Sequence, residues 1–181
     1  ASRIFALDIT RGDARLVLHE DSSRFSFYVR VEGQWQPLFV ADDPRTSGLD
    51  ILEGNRVHRI GDSGTFDQRV EELPNGAQFV WTSPTLRVVQ RFELTRGLRS
   101  SDFDAVQMQV SVSNEGEEPV LVGARLFFDT YLGERTNVHF VTPGSDAITR
   151  ETEFEPGPVN AYVASVAGAD AAYGFQIMLT D

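Results

Sequence analysis

The chain has 181 residues, a formal net charge of −11 at pH 7 and no cysteine. This length suits one large domain, and the 41% of hydrophobic residues can form its core without the help of disulfides. The lack of cysteine also excludes thiol chemistry. The acidic balance argues against a nucleic-acid partner, since phosphate binding needs concentrated Lys and Arg. The sequence contains no run of about 18 apolar residues, so it gives no prediction of a membrane-spanning segment.

Short alternations of apolar and polar residues follow one another from the N-terminus to Gly97. The predicted strands centre on these apolar residues: Leu7, Leu16, Phe27, Leu38, Ile51, Val57, Val70, Phe79 and Val88. Turn residues separate them at short intervals, which is the signature of antiparallel β structure, and the first four strands, up to Val40, are predicted to form a meander. Asn75-Gly76 predicts a type I′ turn, in which both central positions have positive φ. Trp81 follows Phe79 and Val80, so we expect it in the core.

The stretch from Asp104 to Glu134 predicts two long antiparallel strands that pair as a hairpin. Val106 to Val112 alternates apolar with polar residues, as expected for a strand with one buried face. The second strand, up to Asp129, has apolar residues on both faces, so we expect both to be covered. Phe128 is predicted to lie in the core.

After Glu134 the pattern becomes less regular, and the residues around Gly168 predict a closing hairpin. No segment of ten or more residues has helical periodicity. We count roughly 13 to 15 strands and essentially no helix. The sequence therefore predicts a single all-β domain over residues 1–181, a large antiparallel β-sandwich of the supersandwich kind.

The two ends of the sequence give an expectation about its origin. It begins Ala1-Ser2-Arg3, which fits a mature N-terminus left by signal cleavage, and it stops directly after the apolar strand GFQIMLT. We therefore expect an exported protein, periplasmic or extracellular, and a natural chain longer than this one.

Two paired segments, LRVVQRFELTRG (residues 86–97) and DAVQMQVSVSNEGEEPVLVGARLFFD (residues 104–129), carry a family resemblance. Their strand, turn and return strand are similar to those of the supersandwich domains related to galactose mutarotase, which also occur in carbohydrate-active enzymes. The resemblance implies the fold. It does not imply the activity, because the family's two catalytic histidines and C-terminal carboxylate have no matching motif in this chain.

The candidates for acid–base chemistry are the histidines His58 and His139 and the carboxylates Asp129 and Glu134. No two histidines are neighbours in sequence, so the spacing predicts no metal site. His139 follows the segment DTYLGE closely and could line a cleft, whereas His58 fits a solvated strand position. Asp129 could be a general base at the rim of the sandwich, or it could fix a turn by accepting hydrogen bonds from Thr130 or nearby backbone.

Trp35, Tyr131 and Arg135 are the candidates for ligand contacts. The aromatic faces of Trp35 and Tyr131 either pack on the apolar faces of sugar rings or pack in the core or at its rim. Ca²⁺ is an alternative ligand, since clustered carboxylates supply hard oxygen atoms. The clusters are Asp42-Asp43, the glutamates of residues 115–118 and those of residues 151–155. None matches an EF-hand, and no cofactor is predicted.

Two functions remain as predictions. The preferred one is a non-catalytic β-sandwich module of an exported or cell-envelope protein, acting through protein or glycan contacts. The alternative is a carbohydrate-active domain of the aldose-epimerase type, in which His58 or His139 works with a carboxylate. A histidine and a carboxylate within about 6 Å in an open concave face would favour the enzyme.

Overall fold

The computed structural model describes residues 6–39, 45–62, 64–97, 101–130, 132, 138–144, 146–153, 162–166 and 173–178. These residues form antiparallel strands with turns and loops between them, and they contain no helix. Among them there is therefore no helix that is long and apolar enough to cross a membrane. The strands, in chain order, are β1 (Ala6–Arg11), β2 (Ala14–His19), β3 (Arg24–Val31), β4 (Gln34–Pro37), β5 (Gly48–Glu53), β6 (Arg56–Arg59), β7 (Asp67–Leu73), β8 (Gly76–Thr82), β9 (Leu86–Arg96), β10 (Phe103–Asn114), β11 (Val122–Phe127), β12 (Phe140–Val141), β13 (Ala147–Ile148), β14 (Tyr162–Val166) and β15 (Gly174–Met178). The predicted all-β sandwich is confirmed.

The described strands divide into four sheets. Their strand orders are β1-β2-β3-β4, β10-β9-β8-β7, β11-β5-β6 and β13-β12-β14-β15. The meander predicted for the first four strands is confirmed, because every pair of neighbours in the β1-β2-β3-β4 sheet is also adjacent in sequence. The same is true of the β10-β9-β8-β7 sheet. The closing hairpin is confirmed as well, since β14 pairs with β15.

One aromatic core joins the first three sheets. The ring of Phe25 on β3 lies 4.8 Å from that of Phe92 on β9 and 6.2 Å from that of Phe128, just after β11. Trp81 on β8 is buried as predicted, and its indole N–H donates to Oε1 of Gln68 over 3.1 Å. Alternation along each strand sends one row of side chains into this core and the other row outwards.

The predicted hairpin of β10 and β11 is wrong. β10 pairs with β9 along its length, and β11 pairs with β5 in another sheet. The connection between them crosses from one sheet to the other: Glu115 N–H donates to the carbonyl of Thr85, and Gly54 N–H donates to that of Leu121, both over 2.8 Å. β11 is therefore the edge of a three-stranded sheet, and its two faces are not both covered, because Val122 and Ala124 are exposed.

The predicted type I′ turn at Asn75-Gly76 is also wrong. Leu73 pairs with Gly76, so Pro74 and Asn75 are the central residues, and the proline ring fixes φ near −65°. Gly76 is needed for a different reason: a Cβ there would lie 1.9 Å from the carbonyl oxygen of Phe92 on β9.

A turn of the primed kind does occur elsewhere. Between β3 and β4, Glu32 and Gly33 have φ of 50° and 80°, as a type I′ turn requires.

Candidate functional site

His58 and a carboxylate do lie together, but the carboxylate is Glu53. The two residues are diagonal neighbours on one face of the β5–β6 hairpin, since Glu53 pairs with Arg56 and His58 with Ile51. Nε2 of His58 is 3.0 Å from Oε2 of Glu53, and the Phe66 ring stands edge-on to the imidazole.

This pair is tied into the structure by a third residue. The Thr85 hydroxyl, in the turn between β8 and β9, donates to the other carboxylate oxygen of Glu53. That hydrogen bond is the largest influence on Glu53, and together with His58 and Arg56 it outweighs burial and lowers the pKa of the carboxyl below its ordinary value. The carboxylate thus links the β5–β6 hairpin to the neighbouring sheet.

The imidazole of the His58 pair is closed to a substrate. The side chain of His58 is only 1% exposed, so the prediction of a solvated strand position is wrong. A general acid or base must come within about 3 Å of the proton that it transfers. The contact required by the epimerase alternative is therefore present, but the open concave face is not present at this pair.

Asp129 and His139, the other acid–base candidates that the structure describes, have different surroundings. Asp129 accepts a hydrogen bond from the Thr46 hydroxyl, and its own N–H donates to Oγ of Ser47 over 2.9 Å. It therefore ties the end of β11 to the segment before β5, which is a contact between distant parts of the chain and not the local turn predicted for it. His139 is exposed.

The predicted ligand contacts are placed only in part. Trp35 is half-buried on the edge strand β4, opposite Arg30, whose guanidinium lies 5.2 Å from the centroid of its ring. Tyr131, Glu134 and Arg135 lie outside the described residues. No group of three metal-ligating side chains occurs in the part of the chain that the structure describes.

A polar groove, which the sequence analysis did not identify, lies on the outer face of the β10-β9-β8-β7 sheet. It is a depression of about 160 Å³ lined by Arg91 and Glu93 of β9 and by Gln107 and Gln109 of β10. The register places Gln109 opposite Arg91 and Gln107 opposite Glu93. The sequence signal was the alternation of Gln107 and Gln109 with apolar residues, which predicts an exposed row but not its partner strand.

The electrostatics of the groove are balanced. Arg91 and Glu93, two residues apart on the same face, form an ion pair. Beside them Gln78 donates to Glu71 over 2.6 Å, and this hydrogen bond is the main reason why the pKa of Glu71 lies below its ordinary value. The groove therefore presents no net charge and several groups that donate or accept hydrogen bonds.

Comparison of the chain with protein-family models, with curated protein sequences and with solved structures finds no match.

Proposed function

We propose that the protein is a non-catalytic β-sandwich module that binds a neutral glycan along the polar groove of Arg91, Glu93, Gln107 and Gln109. The observation that carries the proposal is this patch of four polar side chains, two from each of the two longest strands, β9 and β10. Each glutamine amide has both donors and an acceptor, which matches the hydroxyl groups of a sugar.

The small volume and polar lining of the groove favour a ligand bound at the surface over an enclosed one. Pockets that surround a small-molecule substrate have volumes of about 300–1,000 Å³ and a mostly apolar lining. At about 160 Å³ and with polar walls, the groove can contact one side of a chain but cannot sequester it. The small volume and the polar walls support binding without chemistry. The buried imidazole of His58 supports it as well.

Charge and polarity distinguish a glycan from a protein partner. Protein interfaces depend on a few large aromatic or Arg anchors that become fully buried at the centre. None of the described residues that line the groove is aromatic, so it offers neither a large anchor for a protein nor a ring on which a sugar could stack, and its arginine is already paired with Glu93. A ligand rich in neutral hydroxyl groups suits it better. Export of the protein remains a prediction.

An array of neutral and acidic oligosaccharides tests the proposal, followed by calorimetric titration of the best neutral ligand. We expect the double variant Gln107→Ala/Gln109→Ala to weaken binding about tenfold, since each net hydrogen bond contributes about 0.5–1.5 kcal/mol. Ser113→Ala is the matched control, because Ser113 is exposed on the same face of β10, outside the groove.

Three results would contradict the proposal. The first is binding that the double variant leaves unchanged, and the second is no binding to any neutral glycan on the array. The third is acceleration of the mutarotation of freshly dissolved aldoses, followed by polarimetry, which would favour the aldose-epimerase alternative instead.

A further inference from the structure

A second cluster lies on the outer face of the β11-β5-β6 sheet, well separated in sequence from the polar groove. The pairing places Asp50 of β5 between Arg59 of β6 and Arg125 of β11. Nε of Arg59 donates to Oδ1 of Asp50, and Nη2 of Arg125 donates to Oδ2, both over 2.9 Å. We call these three residues the arginine clamp.

The arginine clamp has more donors than its own carboxylate can use. A guanidinium carries five N–H groups, and each arginine gives one of them to Asp50. The remaining donors have no partner among the described residues. Two arginines and one aspartate leave a local charge of +1 on a chain whose net charge is −11.

The guanidiniums are held in place yet open to solvent. The Asp50 side chain is 8% exposed, whereas those of Arg59 and Arg125 are 41% and 66% exposed. Both guanidiniums also lie over the ring of Phe127, at 5.0 Å and 4.5 Å from its centroid. A long side chain that is already ordered loses less entropy when it binds a ligand.

An apolar row lies directly beside the arginine clamp on the same face. This row lies two residues further along each strand and consists of Gly123 of β11, Leu52 of β5 and Val57 of β6. Val57 is 59% exposed, and Gly123 adds no side chain above the sheet. Rows two residues apart are separated by about 7 Å, a distance that a short aliphatic chain spans.

From this juxtaposition we propose that the face binds a small aliphatic carboxylic acid. The carboxylate accepts hydrogen bonds from the outward N–H groups of Arg59 and Arg125, and its carbon chain lies across Leu52 and Val57. A planar carboxylate matches the fork of a guanidinium in geometry and in charge. Asp50 acts as a positioning residue that holds the two arginines in register.

The test is a titration of the ¹⁵N-labelled protein with sodium hexanoate at constant ionic strength, followed by amide NMR shifts. We expect saturable shifts at residues 50, 59, 125 and 127, and none from hexanol or hexylammonium chloride. Arg125→Gln should weaken hexanoate binding about tenfold or more, because a hydrogen bond to a charged group is lost. Arg56→Gln is the matched control, since Arg56 is exposed on the other face of β6.

Several outcomes would overturn the proposal. Hexanol that shifts the same residues equally would show that the carboxylate plays no part. If chloride produces the same shifts, the arginine clamp binds anions in general and does not select a carboxylate. Equal binding by Arg125→Gln, with a wild-type amide spectrum away from β11 to prove that it folds, would place hexanoate elsewhere. The glycan proposal is independent of this test, because its variants lie on another sheet.

Discussion

Replacing Asp50 by Asn tests whether the arginine clamp stabilises the fold. The amide keeps the shape of the side chain but directs an N–H₂ group at one guanidinium, so a donor meets a donor. Two hydrogen bonds to charged groups are affected, each contributing about 1.5–3 kcal/mol when well shielded. Solvent screens both exposed arginines, so we expect the free energy of unfolding to fall by about 2 kcal/mol in total.

The same variant has a defined pH dependence. Burial is the largest single influence on Asp50 and would raise its pKa, but the hydrogen bonds and charges of Arg125 and Arg59 together outweigh it and lower the pKa. A carboxyl whose pKa is lower in the folded state stabilises the fold above its unfolded pKa, near 3.8. This contribution is lost as the pH falls through the folded-state pKa.

Urea unfolding at pH 7 and at steps from about pH 4 to pH 2 measures this difference. At pH 7 the variant should also melt about 4–8 °C lower, as expected for a domain of this size. Asp62→Asn is the control, because Asp62 is half-exposed in its ion pair with Arg24 and should cost less than about 1 kcal/mol. Equal stability of Asp50→Asn and wild type at pH 7, or a difference that persists unchanged at pH 2, would refute the reasoning.

Three substitutions in the packed interior, with Gly123→Ala as a control, test the packing by urea unfolding. Gly76→Ala should cost about 2 kcal/mol or more, because its Cβ would overlap the Phe92 carbonyl, whereas Gly123→Ala, with only ordinary contacts at 3.6 Å, should change little. Phe92→Ala should cost about 3–5 kcal/mol, since Phe92 is fully buried among other rings. Phe128→Ala should cost less, about 2 kcal/mol, because Phe128 is only partly buried, and a loss below about 1 kcal/mol would place it outside the core.

The sequence predicts most strands and their inward faces, because alternation follows directly from the geometry of a strand. It predicts Trp81 in the core for the same reason. It does not predict which strand lies beside which when the partners are distant in sequence. Each strand has two edges, and the alternation along β10 does not show that it pairs with β9 alone while β11 pairs with β5 in another sheet.

The turn at Asn75 shows a related limit. Asn-Gly favours a type I′ turn by its local conformational freedom. The preceding Pro74 excludes that turn in the register that the sheet adopts, since its φ is fixed. The glycine then serves the approach of β8 to β9, which is a tertiary contact that no local pattern encodes.

The arginine clamp depends on the pairing that the sequence analysis missed. Arg125 and Asp50 are 75 positions apart, and pairing β11 with β10 would have kept them apart in space. The apolar residues on the outer face of β11 suggested a second covering layer. In the structure the guanidiniums of Arg59 and Arg125 lie over Phe127 instead. Because arginine stems and planes can shield an aromatic ring while they stay hydrated, apolar residues on both faces of a strand do not require two protein layers.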